Sequence, residues 1–152
     1  ALAARALASA RARGVPVSLD PASAGFLVEL GVDRFLALVE GLDVLLPSRD
    51  EACLLTGLPD AADAAAKLSR HVPLVVAKQG ADGALVARSG TLGPMSRQAE
   101  APSDTTGAGD AFSAAFLAAL LTGARPEDAV REGCRAGALA VARVGGRPPA
   151  PE

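Results

Sequence analysis

Four short apolar runs constrain this chain more than any other feature: Val15-Pro-Val-Ser-Leu-Asp20, Asp43-Val-Leu-Leu-Pro47, Pro73-Leu-Val-Val-Ala-Lys78 and Gly83-Ala-Leu-Val-Ala-Arg88. A strand with one wet face alternates apolar and polar residues, whereas a strand covered on both faces reads as a continuous apolar run. Stretches with helical spacing lie between most of these runs. The fold class expected is therefore α/β, a mainly parallel sheet sandwiched by helices.

The punctuation between the runs supports this order. Leu2, Ala6, Leu7 and Ala10 recur at helical spacing and Gly14 closes the turn. Phe26 to Val39 predicts one or two helical pieces before Gly41, and Ser48 to Thr56 a short helix stopped by Gly57. Asp60 to Arg70 is Ala-rich and helical, and Gln79 to Asp82 predicts a tight turn between two strands. Ser89 to Pro102 reads as strand and loop. Two further helices are expected from about Gly107 to Leu121 and from Pro126 to about Val144, the second opened by a first-turn Pro with Glu127 and Asp128 behind it. No internal repeat or linker divides the 152 residues, so one domain is expected. The chain starts at Ala1 inside an apparent helix and ends in a Pro-rich tail, which reads as a piece of a longer protein.

Composition narrows the partners. Fifteen Lys and Arg against seventeen Asp and Glu leave a formal charge of -2, with aromatic residues at 3%. Neither a basic block nor a stacking platform is present for nucleic acid. Arg and Lys interrupt every apolar stretch before it reaches the roughly 18 residues of a membrane span, and the scattered Arg5, Arg11 and Arg13 do not form a secretory leader. A cytoplasmic address is the expectation. Cys53 and Cys134 lie far apart without the spacing of a zinc site, and reduced, packed thiols are the simpler reading.

The chemistry concentrates where the first of the two last helices begins. Gly107-Ala108-Gly109 carries no bulky side chain, and Asp110 opens a strongly apolar helix behind it. Helix N-termini present unpaired N–H groups and partial positive charge, so small residues there let a phosphate approach the backbone. The Lys and hydroxyl of a P-loop are missing, and the glycines do not fit the dinucleotide fingerprint. Asp110 can be a base for an attacking hydroxyl or simply an acid that complements the helix dipole.

The longer run Asp104-Thr-Thr-Gly-Ala-Gly-Asp110, followed by Ala-Phe and a small-residue helix, resembles the C-terminal signature of the ribokinase-like (PfkB-type) carbohydrate kinases. The resemblance implies a ribokinase-like fold and covers residues 1–152 as its C-terminal nucleotide-binding and catalytic part, with the N-terminal part and lid absent. It makes Asp110 the catalytic base and Gly107, Ala108, Gly109 and Asp110 the anion hole. Leu46-Pro-Ser-Arg-Asp-Glu-Ala52 is similar to the family's Asn-x-x-Glu element, which organises Mg2+ and phosphate; Ser48 stands at the Asn position and Glu51 is retained. The same Ser-x-x-Glu is also a helix capping box, and both roles can coexist. Val75 to Leu85 resembles the segment beneath the nucleotide, which implies nucleotide contacts from Lys78, Gly80 and Gly83, although an ordinary Gly-containing turn would look alike.

Ala138 to Pro149 resembles the last nucleotide-contacting helix and loop of the family. By that mapping Asp104, Thr106, Ala140, Arg143 and Gly145 belong to a monovalent cation site, for K+, and Cys134 falls near the adenine pocket, with core packing the simpler account of both. Asp20, at the end of its strand, is a further ligand candidate. His71 at a helix end reads as a dipole partner. The reaction implied is ATP-dependent phosphoryl transfer to a sugar or small polyol, with ATP as co-substrate and Mg2+ as its ion. Open alternatives are a nucleoside kinase of the same superfamily and a non-catalytic fragment that binds only nucleotide or anion. The expected partner is the small-molecule substrate, with no nucleic acid or membrane, and a homodimer stays open for the full-length protein.

Overall fold

The computed structural model of the chain describes residues 2–93 and 107–142. Five strands form one sheet in the order β1-β2-β3-β4-β5: β1 Ser18–Leu19, β2 Val44–Leu45, β3 Leu74–Lys78, β4 Ala84–Arg88 and β5 Thr91–Leu92. β1 pairs with β2 and β2 with β3 in parallel, while β4 and β5 are antiparallel, so the sheet is mixed beyond its parallel part. The five-residue gap between β3 and β4 is too short for a parallel crossover, which needs a dozen or more residues. A 3-10 turn over Gly80–Asp82 fills it instead, closed by the Gln79 N–H donating to the Gly83 carbonyl at 2.7 Å.

Seven α-helices accompany the strands among the described residues: α1 Leu2–Ala12, α2 Ala24–Leu30, α3 Val32–Val39, α4 Arg49–Thr56, α5 Ala61–Leu68, α6 Ala108–Leu121 and α7 Pro126–Val141. The chain divides into two compact units. One holds residues 1–77 and 87–93, the other residues 78–86 and 94–152.

In the first unit the expected β1 and β2 runs shrink to two ladder residues each. Pro16 has no N–H to give, and the Val17 N–H donates to the Asp43 carboxylate at 2.7 Å rather than to a strand neighbour. Gly31, at φ 89°, separates α2 from α3, so two helical pieces stand where one or two were expected. α5 buries Ala61, Ala64, Ala65 and Leu68, the i, i+3, i+4, i+7 stripe of an amphipathic helix. β3 is buried from Leu74 to Ala77. A fully covered strand of this kind is what its unbroken apolar run required.

In the second unit α6 packs on α7. α7 contributes a stripe of small buried residues, Ala129, Gly133, Cys134 and Gly137 among them, which lets the helix axes approach closely. Gly133 faces the ring of Phe112, and a Cβ added there would meet ring carbons at 2.9 Å. Phe112 also stacks on Phe116, centroids 6.2 Å apart and planes within 6°. α6 is apolar nearly all round, yet Ala114, Ala118 and Leu121 remain exposed.

Candidate active site

The site is built at the start of α6. Gly107 is the N-cap residue, held at φ 80° in the left-handed region where a side chain is strained, and it has nothing with which to cap the helix. The first intrahelical bond runs from the Ala111 N–H to the Gly107 carbonyl at 2.9 Å. The N–H groups ahead of it have no partner of helical type, and the dipole adds partial positive charge at the same end. Gly109 and Asp110 are both exposed, in the second and third helical positions. An exposed aspartate thus follows a helix start whose backbone donors have the chemistry to meet an anion.

Lys78 comes to the same place from β3. The side chain is half-buried at the end of a strand that is otherwise buried, and a Cβ on Gly109 would lie 3.7 Å from its Nζ. That is ordinary contact distance, so a methyl group would fit. Nor is Gly109 in a left-handed conformation. Among the described residues, local packing does not account for its glycine. Small residues, backbone donors and a nearby ammonium are a set that fits a phosphate group. Gly80 and Gly83 bracket the 3-10 turn after Lys78 at φ 58° and 89°, where glycine is the residue that turns without strain.

At the start of α4 the Ser48 hydroxyl accepts from the Glu51 N–H at 3.3 Å and the Glu51 carboxylate accepts from the Ser48 N–H at 2.7 Å. Both halves of a capping box are formed, and Glu51 is buried at 4% exposure. At least one carboxylate oxygen thus has a structural partner. Among the described residues no group of three His, Cys, Asp or Glu side chains is arranged to hold a metal. Mg2+ commonly relies on one or two carboxylates, waters and substrate phosphates, a donor set that a single carboxylate such as Glu51 fits.

Cys134 lies in the buried stripe of α7, and Ala140 is half-buried near its end. Asp104, Thr106, Arg143 and Gly145 lie outside the described residues. Asp20 accepts from the Ala22 N–H at 3.2 Å across a turn after β1, and His71 is exposed. Sequence reasoning missed the approach of Lys78 to Gly109 and the Phe112–Gly133 contact. Small residues four apart in α7, Gly133 and Gly137, were the one available signal for the second. No helix of the described residues is long and apolar enough to cross a membrane.

Comparison with known proteins bears on this geometry. Ribokinase of Haemophilus influenzae is 32% identical over 142 residues, covering 90% of this chain and 44% of that enzyme. Fructokinase from Vibrio cholerae, as a double mutant with fructose, ADP and potassium ion bound, superposes with a TM-score of 0.79 at 32% identity, covering 93% of this chain and 49% of that one. Ribokinase II from E. coli, in complex with ATP and Mg2+, gives 0.82 at 27% identity over 93% of this chain and 47% of its own. The chain thus spans a little under half the length of these relatives. The family description of pfkB carbohydrate kinases matches residues 1–152, its Gly-Ala-Gly-Asp helix start included, and the chain belongs to that family.

Proposed function

We propose that this chain forms the phosphoryl-transfer end of an ATP-dependent kinase that acts on a hydroxyl of a sugar or related small polyol. ATP supplies the transferable γ-phosphoryl group, and Mg2+ screens the charge on its oxygens. The N–H groups of Gly107, Ala108 and Gly109 stabilise negative charge at the start of α6. Asp110 orients the acceptor hydroxyl and receives its proton as the oxygen becomes the nucleophile. Gly80 and Gly83 carry the nucleotide side of the site with Lys78 at its terminal phosphate, which ADP lacks, and Cys134 lies toward the base. Ser48 and Glu51 serve the Mg2+ and phosphate network, and Asp104, Thr106, Ala140, Arg143 and Gly145 a K+ site of the kind that the potassium in the fructokinase relative supports.

The observation that carries this reading is the glycine-lined start of α6, whose N-cap residue makes no side-chain cap, with a carboxylate in its first turn. Its test is acceptor-dependent ADP release from the full-length protein and from Asp110→Asn, with pentoses, hexoses, keto-deoxy sugar acids and nucleosides as acceptors. Turnover is expected in the parent and a fall of about 1,000-fold in the variant, with nucleotide affinity held within about threefold. Unimpaired turnover in Asp110→Asn would remove the base assignment. Nucleotide binding without turnover in the parent would favour the alternative, a kinase fragment that binds only nucleotide or anion.

A further inference from the structure

We infer that Lys78 acts on the phosphoryl group in transit, as a catalytic residue, and not merely on the bound nucleotide; this rests on the kinase reading above. The ammonium is a compact point charge on a flexible stem. Here the stem is anchored at the end of β3, whose other residues, Leu74 to Ala77, are buried. Nζ would lie 3.7 Å from a Cβ on Gly109, so among the described residues no side chain separates the ammonium from the second residue of α6.

Gly109 gives this approach its meaning. Glycine inside a helix costs about 0.5–1 kcal/mol relative to alanine. Its conformation is one that any residue adopts, and the space would accept a methyl group at ordinary contact distance. The missing side chain leaves a space the size of one methyl group between the second residue of α6 and the ammonium, enough for a single phosphoryl oxygen. Asp110 follows directly in the chain. A phosphoryl oxygen in that space would meet a helix amide and the ammonium, with Asp110 the next residue to hold the attacking hydroxyl.

The chemistry balances without a further reactant. The acceptor oxygen forms its bond to phosphorus as the bond to the ADP oxygen breaks with its electron pair, and the hydroxyl proton passes to Asp110. Lys78 keeps its proton throughout and offsets negative charge on the phosphoryl oxygens. Interactions made in the transition state lower kcat when removed, whereas those made equally in the ground state raise KM.

The experiment compares Lys78→Met, Lys78→Gln and Lys78→Arg with the parent in the full-length protein, by kcat, KM for ATP and calorimetric ADP affinity. Lys78→Met is expected to lose about 100-fold in kcat, with ADP affinity changed by less than about threefold and Lys78→Arg recovering part of the rate. The Gln variant reads the same split where the Met variant is unstable. Unchanged kcat, or an ADP affinity that falls in step with the rate, would overturn the inference. A parent without acceptor-dependent ADP release would instead defeat the kinase reading, and Lys78 with it; an active parent beside an equally active Lys78→Met defeats the Lys78 assignment alone.

Discussion

Helix α5 begins under Asp60, whose carboxylate accepts from the Ala62 and Asp63 amides at 2.8 and 3.0 Å, whereas α6 begins at Gly107, which has no side chain to offer. α4 is closed as α5 is, by Ser48 and Glu51. All three ends expose the same backbone donors before capping. In α4 and α5 the sequence fills them locally and secures the fold; at α6 the N-cap glycine has no side chain to fill them, which the proposed anion site would use. Residues of one chemical type, Glu51 and Asp110, thus stand in different surroundings at equivalent third positions. One is buried in a cap, and the other faces solvent at an open terminus.

This contrast can be broken most forcefully at Gly109. Gly109→Ala is expected to lower acceptor-dependent turnover about 100-fold while raising the urea midpoint, because alanine favours the helix by up to about 1 kcal/mol. A variant that is stabilised and fully active would mean that the open end is not a binding site. Next comes Glu51→Gln, which keeps an oxygen for the capping box. Stability should hold within about 0.5 kcal/mol, while the Mg2+ concentration for half-maximal rate should rise about tenfold; an unchanged Mg2+ response would confine Glu51 to the cap.

A smaller effect is expected from Asp60→Ala, at about 1 kcal/mol of stability with kcat and KM unaltered, measured by denaturant titration and steady-state assay. The smallest belongs to the start of α7. There the hydrogen bond from Arg125, aided by the charges of Arg125 and Arg131, lowers the Asp128 carboxyl below its ordinary value. A lowered folded-state pKa gives stability that is present above the unfolded pKa, near about 4, and is lost as pH falls through the folded value. Because the pair lies at the surface, screening leaves little of it. Asp128→Asn should thus barely alter the unfolding midpoint at neutral pH, and should narrow its difference from the parent further in acid.

Local chemistry made much of this legible. The unbroken apolar run of β3, the Ser48 to Glu51 box, Pro126 at the start of α7 and Gly107 before α6 each carry their signal within a few residues. The lengths of β1 and β2 were not legible, because the Asp43 carboxylate that takes the Val17 N–H lies 26 residues away. The mixed character of the sheet was written in the short Gln79 to Asp82 gap, but the continuous apolar runs weighed toward a parallel reading. The site divides in the same way. Its proposed anion-binding end was read from Gly107 to Asp110, whereas the approach of Lys78 to Gly109 depends on how residues distant in sequence pack.

Gly133 shows what such packing implies for inherited variation. The Phe112 ring that would clash with a side chain there is two residues beyond Asp110 on the same helix. Any larger residue must displace the Phe112 ring or the helix that carries it, and a displacement of about 1 Å at a reacting group can cost about 100-fold in rate. A loss-of-function screen would then score Gly133 alongside the residues that touch substrate. Selection on catalysis would guard a position whose nearest neighbours are carbon atoms of a phenylalanine.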